Sequence, residues 1–312
     1  MILTVTMNPS IDVSYPLNHL KIDDVNRTTE VSKTAGGKGL NVSRVIQQLG
    51  TKILATGIIG GFFGQFIETK LSEDHIEHNF YKIDQESREC IAILHDGGNQ
   101  TEILESGPVL SEEEKNAFLN HYNDLLAQSS LVTISGSLPS GVNPNFYALM
   151  VRLAHGKGKK VLLDTSGESL KTALLSQEKP DLIKPNEEEL QQLIPIELNI
   201  HNPESLKAAL STPDLKDVEW ICVSLGKAGA FVKHGSTFYS VSIPAINVVN
   251  PVGSGDATLA GLAVAIDSHQ SDEVILKTAM TTGMLNTMER QTGFIDSDKF
   301  DEYFKKVLVT QV

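Results

Sequence analysis

Short, continuous apolar runs alternate along the chain with longer stretches in which apolar residues recur every three or four positions. Ile2–Thr6, Leu54–Ile58, Val132–Ser135, Val161–Asp164, Leu182–Lys184 and Ile221–Ser224 read as buried strands. Between them, Val42, Val45, Ile46 and Leu49 fall at i, i+3, i+4 and i+7, with Gly50 suited to the C-cap. Ser111 and Glu114 make a capping box ahead of Phe118, Leu119, Tyr122, Leu125 and Leu126 on one helical face. Phe146, Leu149, Met150 and Leu153 mark another helix. The alternation predicts an α/β fold: a largely parallel sheet with helices on both faces.

Two segments break this rhythm. Asp12–Thr34 and roughly Tyr81–Leu104 carry no long helical stripe and read as β-hairpin material; in the second, Gly97-Gly98-Asn99 makes a turn between Cys90–Leu94 and Thr101–Leu104. The two could meet in space as a small sheet, a lid over a cleft. With no internal repeat, low-complexity tract or flexible linker, the expected organisation is one domain over residues 1–312 with a lid from about 12–34 and 81–104.

Composition narrows the function. A chain of 312 residues, 40% hydrophobic and 21% charged, can bury a large core. A net charge of −13 without a dense Lys/Arg run argues against wholesale binding of nucleic acid or an anionic membrane. Phosphate binding would need local cations or Mg2+. Cys90 and Cys222 are too few and too far apart for a disulfide framework or a zinc site. Met1–Thr6 does not read as a signal peptide, and no window approaches ~18 uninterrupted apolar residues. The expected compartment is the cytoplasm.

The candidate chemistry concentrates near the C-terminal end, in Asn250-Pro251-Val252-Gly253-Ser254-Gly255-Asp256-Ala257-Thr258-Leu259-Ala260-Gly261. Backbone N–H groups of Gly253, Ser254 and Gly255 can turn toward a phosphate at a helix N-terminus, where the macrodipole adds positive potential. That field is expected to keep Asp256 ionised as a proton acceptor. An anion cradle beside a carboxylate suggests phosphoryl transfer to a hydroxyl. The same residues also serve as an ordinary turn and N-cap.

A second glycine cluster, Ala35-Gly36-Gly37-Lys38-Gly39-Leu40-Asn41, opens the Val42–Leu49 helix and offers Lys38 and Asn41 as donors. There is no Gly-x-x-x-x-Gly-Lys-Ser/Thr, which excludes a P-loop, and no dinucleotide fingerprint where a Rossmann fold would carry it. Asn186-Glu187-Glu188-Glu189 has capping-box spacing after a strand, and its acids could also help hold Mg2+ near nucleotide phosphates, usually through water. Ser224-Leu225-Gly226-Lys227-Ala228-Gly229 could clasp a nucleotide or simply turn the chain. The nine histidines show no metal-ligand spacing.

Together these pieces resemble the ribokinase-like, or PfkB, sugar kinase family. Its N-terminal signature is recognisable in Gly36–Asn41 and its C-terminal one in Asn250–Gly261, with the Asn186–Glu189 block and the Ser224–Gly229 turn in the family's order. Within the family, Met1–Leu17, Asn26–Val45, Ser135–Pro139 and Asn250–Gly261 look most like the tagatose-6-phosphate kinase branch; kinases of fructose 1-phosphate and fructose 6-phosphate share much of the pattern. The resemblance implies a three-layer α/β core, a β-sheet lid and a homodimer formed through the lid. It implies ATP and Mg2+ as cofactors and transfer to the C1 hydroxyl of D-tagatose 6-phosphate. Asp256 would take the hydroxyl proton, and Gly253, Ser254 and Gly255 would hold the transferring group. Asp12, Gly37, Lys38 and Asn41 would read sugar hydroxyls, and Arg27 and Arg88 would grip the phosphate already on the substrate. Lys184, Asn186, Ser224, Gly226, Gly229 and Asn286 would serve the nucleotide, with Glu189 near the metal, through water. Asn250-Pro251-Val252 replaces the Thr-Val or Thr-Thr of many relatives, which puts in question the monovalent-cation site some of them use. A catalytically silent sugar-phosphate sensor on the same fold is the alternative of another class.

Overall fold

The computed structural model describes all 312 residues. The chain opens with β1 (Ile2–Thr6), β2 (Ser10–Pro16), β3 (Ser32–Gly36), α1 (Lys38–Gln48), β4 (Ile53–Gly60), α2 (Gly61–Glu73) and β5 (Tyr81–Ile83). It continues through β6 (Arg88–His95), β7 (Asn99–Leu104), α3 (Glu112–Leu126), β8 (Leu131–Ser135), α4 (Phe146–His155), β9 (Lys160–Asp164), α5 (Gly167–Leu175) and β10 (Leu182–Ile183). The last third holds α6 (Glu187–Leu193), α7 (Pro203–Leu210), β11 (Trp220–Ser224), β12 (Ala230–His234), β13 (Thr237–Ser242), α8 (Ser254–Asp267), α9 (Asp272–Thr287), α10 (Phe300–Lys306) and β14 (Leu308–Gln311).

Ten strands form one sheet in the order β14-β13-β12-β11-β10-β9-β8-β1-β4-β5. From β11 to β5 every pairing is parallel, while β12, β13 and β14 extend the other edge antiparallel. The buried strands divide their side chains by the period of two. Ile2 of β1, Leu131 of β8 and Leu162 of β9 join α1, α2, α8 and α9 in one core. Leu3, Val132 and Val161 join α3 to α7 in the other. The result is a helix–sheet–helix sandwich.

After β1 the chain builds outward through β4 and β5, then returns to the far side of β1 for β8 to β11. Right-handed crossovers in opposite directions place the connecting helices on opposite faces. The strand order reverses at β1, and the carboxyl ends of the strands beside such a reversal are the usual ligand position in open α/β sheets.

The sequence expectations hold for most elements. Ser111 Oγ accepts from Glu114 N, and Glu114 Oε2 accepts from Ser111 N, closing the capping box. Gly50, at φ 74°, follows the end of α1. Other features were not anticipated, among them helices α2, α5, α7, α9 and α10, the antiparallel β12–β14 edge, and the ending of β10 at Ile183, which leaves Lys184 just beyond the strand.

The two rhythm-breaking segments meet in a separate four-stranded sheet, β3-β2-β6-β7. Their boundaries differ from the sequence pattern, because Tyr81–Ile83 pairs with β4 in the large sheet and the small sheet takes its second hairpin from Arg88 onward. Asp96, Gly97 and Gly98, all at positive φ, make the turn.

Helix α8 packs tightly against α9. A Cβ on Gly261 would lie 2.4 Å from Thr282 Oγ1 and 2.8 Å from Ala279 Cα, so only glycine permits this approach. Gly261→Val should therefore force the helices apart and cost about 1–3 kcal/mol. The check is a lower denaturant midpoint at unchanged m-value.

Candidate active site at the carboxyl ends of the central strands

The last residues of β1, β8 and β9 place a polar row at the edge of an apolar layer. Ser135 pairs with Asp164, and Thr6 lies one step past the Val5–Ile134 pair, beside Ser135. Thr6 Oγ1, Ser135 Oγ and Asp164 Oδ2 are buried without a hydrogen-bond partner. Buried polar groups left unpaired mark a place built for water or a ligand. Two ammonium groups flank Asp164: Lys38 Nζ at 3.7 Å from Oδ1, and Lys184 Nζ at 3.5 Å from Oδ2.

Opposite this row, α8 begins. Gly253 adopts the left-handed conformation at φ 81° and precedes the helix with no side chain capping it. A Cβ on Gly253 would meet Thr292 Cγ2 at 2.4 Å, and one on Gly255 would lie 3.0 Å from Lys184 Nζ. The lysine thus sits directly over the helix start. The amides of Gly255 and Asp256, in the first turn, have no intrahelical acceptor, whereas Ser254 N already bonds to Pro251 O at 3.3 Å. Of the three amides expected to face a phosphate, those of Gly253, Ser254 and Gly255, the Ser254 amide is thus engaged in its own turn. Asn250 fixes that turn: its Oδ1 accepts from Val252 N and its Nδ2 donates to Arg290 O.

Asp256 is only 6% exposed, and Asn41 Nδ2 donates to its Oδ2 at 2.8 Å. Burial, reinforced by the charge of Asp164, pushes its pKa up to about 7, against the pull of the Asn41 hydrogen bond and of Lys38 and Lys184. This corrects the expectation that Asp256 stays fully ionised: burial and the charge of Asp164 raise its pKa more than Asn41, Lys38 and Lys184 lower it. Lys184, 7% exposed, shows the opposite balance. Burial disfavours its charge, but Asp164 and Asp256 more than offset that and hold the ammonium above the ordinary lysine range.

The remaining sequence candidates fall around this centre in different ways. Asp12 accepts from Ser10 Oγ at 2.6 Å and presses against Gly36, where a Cβ would come within 2.0 Å of the carboxyl carbon. Burial raises its pKa, countered by Ser10, Arg44 and Arg88. Gly37 is the N-cap of α1, at φ 108°. Arg88 donates through Nε to Asn8 O and through Nη1 to Glu105 O, so part of its fork is engaged by backbone. Arg27 is exposed in the connection between β2 and β3, without a side-chain partner. Asn186 and Glu189 form a complete capping box on α6. Asn186 also bridges to Ser224 at the end of β11, and Gly226 and Gly229, both at positive φ, turn the chain into β12. Asn286 is buried, donates to Phe294 O, and leaves its Oδ1 unpartnered near Gly253.

Asp164 and Arg44 escaped the sequence reading. An acid closing an apolar strand was the visible signal for Asp164. Nothing local distinguishes Arg44, which is bound to Asn41 and Asp74.

A model of pfkB family carbohydrate kinases matches residues 5–299. Among solved structures, the chain is similar over its full length to a candidate phosphofructokinase from Staphylococcus aureus, at 31% identity and TM-score 0.86, covering 99% of that chain. It is similar to phosphofructokinase-2 from Escherichia coli in complex with potassium at 25% identity and TM-score 0.88, covering 97% of this chain and 98% of that one. A candidate 1-phosphofructokinase from Thermotoga maritima shares the fold at 24% identity and TM-score 0.87, covering all of this chain and 99% of that one.

The buried carboxyl of Asp256 should titrate around neutrality in the ligand-free protein. Infrared difference spectra of the wild type against Asp256→Asn should show a protonated carboxyl band at pH 6 that is gone by about pH 8. A band lost already by pH 5 would mean that solvent or the lysines dominate.

Proposed function

The chain belongs to the pfkB family of carbohydrate kinases, and on that premise we propose that it transfers the γ-phosphoryl group of ATP to the C1 hydroxyl of D-tagatose 6-phosphate. An ATP-dependent sugar-phosphate kinase is what the family establishes; the particular sugar rests on the resemblance of Met1–Leu17, Asn26–Val45, Ser135–Pro139 and Asn250–Gly261 to the tagatose branch. Such an enzyme belongs to galactose and lactose breakdown. The observation that carries the reading is the buried carboxyl of Asp256 in the first turn of α8, hydrogen-bonded by Asn41 and with Lys184 over the same helix start.

The chemistry follows from charge placement. Asp256, with Oδ2 engaged by Asn41, has Oδ1 to orient the sugar hydroxyl and accept its proton. Lys184 and the first-turn amides of α8 would face the charge that spreads over the phosphoryl oxygens. No three acidic, histidine or cysteine side chains form a ready metal cage, which fits a cation that arrives on nucleotide phosphates and keeps most of its waters. Glu189, whose charge reaches Lys184, would hold Mg2+ through water; when bound, the ion supplies further neutralisation of phosphate charge. Asn186, Ser224, Gly226 and Gly229 would flank the nucleotide, with Asn286 behind Gly253.

Asp12, Gly37 and Lys38 would read sugar hydroxyls. The free donors of Arg88, joined by Arg27 as the small sheet closes like a lid, would hold the 6-phosphate. Closure would exclude water as a competing acceptor. Ile22, Val25, Val31, Leu94, Ile103 and Leu104 leave apolar surface exposed on the small sheet and its connection, which supports a homodimer formed through it.

Phosphorylation of a fructose phosphate is the second reading, favoured by the phosphofructokinase descriptions of the similar structures. Tagatose and fructose 6-phosphates differ only at C4. ADP release with Mg·ATP should give a higher kcat/KM for tagatose 6-phosphate than for fructose 6-phosphate or fructose 1-phosphate. A preference for either fructose phosphate would keep the mechanism and change the pathway; sugar-phosphate binding without turnover would identify a sensor. Asp256→Asn should lower kcat by about 10²–10⁴-fold while leaving ATP affinity nearly unchanged. Wild-type kcat in that variant would remove Asp256 as the base.

A further inference from the structure

Arg44 lies in the middle of α1 and is only 6% exposed. Its guanidinium bonds to three partners, and through one of them reaches a fourth part of the molecule. Nε donates to Asp74 Oδ2 at the end of α2, at 3.1 Å. Nη2 donates to Ala35 O in β3 of the small sheet. Nη1 donates to Asn41 Oδ1 at 3.0 Å, one turn earlier on the same helix. Asn41 in turn meets Asp256, 215 positions away in sequence.

The direction of this chain of bonds is dictated by chemistry. A guanidinium has donors only, so the part of the Asn41 amide that faces Arg44 has to be its oxygen. The amide nitrogen is left facing Asp256 and donates to Oδ2 at 2.8 Å. An NH2 group cannot accept, so Oδ2 holds no proton on that side. Oδ1 becomes the oxygen that receives one.

We propose that Arg44 is a positioning residue that acts through Asn41, locking the amide so that Asp256 keeps Oδ2 as an acceptor and takes the substrate proton on Oδ1. The proposal rests on the reading of Asp256 as the base. Without Arg44 the amide is free to turn over and present its oxygen to Asp256. Only a protonated carboxyl satisfies that arrangement, so the turned amide switches the base off. The other groups that face Asp256 are Asp164 from β9, which favours its neutral form, and Lys38 and Lys184, which favour the charged one. The charge of Arg44 also reaches Asp12, so the buried cation that holds Asn41 acts directly on a second carboxylate.

The test follows the Asp256 carboxyl band by infrared titration, which needs no substrate. Arg44→Met should raise its midpoint by about one pH unit. Asn41→Leu should raise it by a similar amount, and the double variant should show no further rise, since both changes break one chain. Shifts that add would mean that Arg44 acts through its own field, and an unmoved midpoint with a lowered Tm would leave it a purely structural residue; either overturns the proposal. If Arg44→Met does not fold, the wild-type protein supplies the answer by 15N NMR. The Arg44 guanidinium and Asn41 amide resonances should both move with the Asp256 midpoint, and invariance of the Arg44 signal overturns the proposal. A protein that passes these tests yet turns over no sugar phosphate would refute the functional reading and leave the Arg44–Asn41–Asp256 chain standing.

Discussion

Two carboxylates and the ammonium of Lys184 share one nearly dry space between α1, α8 and the ends of β9 and β10, with the exposed Lys38 at its rim. Asp164 and Asp256 are 3% and 6% exposed, and each would be costly to bury alone. Lys38 and Lys184 make the group close to neutral as a whole, with Lys184 within reach of both acids. The compensation is incomplete by design of the geometry. Neither lysine makes a salt bridge to Asp256, and burial with the charge of Asp164 keeps it poised rather than fully ionised against the pull of the Asn41 hydrogen bond. A carboxyl poised near the working pH both accepts and releases a proton readily.

The fold serves this balance. The strands must end together for Thr6, Ser135 and Asp164 to lie in one row, and the parallel register ensures it. The N-termini of α1 and α8 must also converge on that row. α8 is held in place by close packing on α9, where Gly261 removes the side chain that would separate them, and by the Asn250 turn at its start. α1 is tied to the loop after α9 through Gln48, which donates to Gly293 O and accepts from Ile295 N. Rigid elements therefore position each charged group, while the small sheet, the part expected to move, reaches the centre through Asp12 and Ala35.

The strand–helix alternation, the capping boxes at Ser111 and Asn186, and the hairpin turn at Gly97-Gly98 were legible because each is set by neighbours within a few residues. The two glycine clusters were legible for the same reason: a left-handed N-cap and an uncapped first turn are local properties of the backbone. Assigning Tyr81–Ile83 to the small sheet failed because three strand-forming residues look alike whichever sheet they join, and pairing with β4 decided it.

The chemistry of the centre divides along the same line. The sequence by itself determined that Asp256 opens a helix beside small residues, and that a lysine and an asparagine open another. Only the tertiary structure decided that Asn41 faces Asp256 rather than solvent, that Asp164 lies close enough to raise its pKa, and that Arg44 stands behind Asn41. Hydrogen-bond direction and desolvation depend on which groups meet in space, and groups that meet across 215 positions leave no periodic trace in the chain.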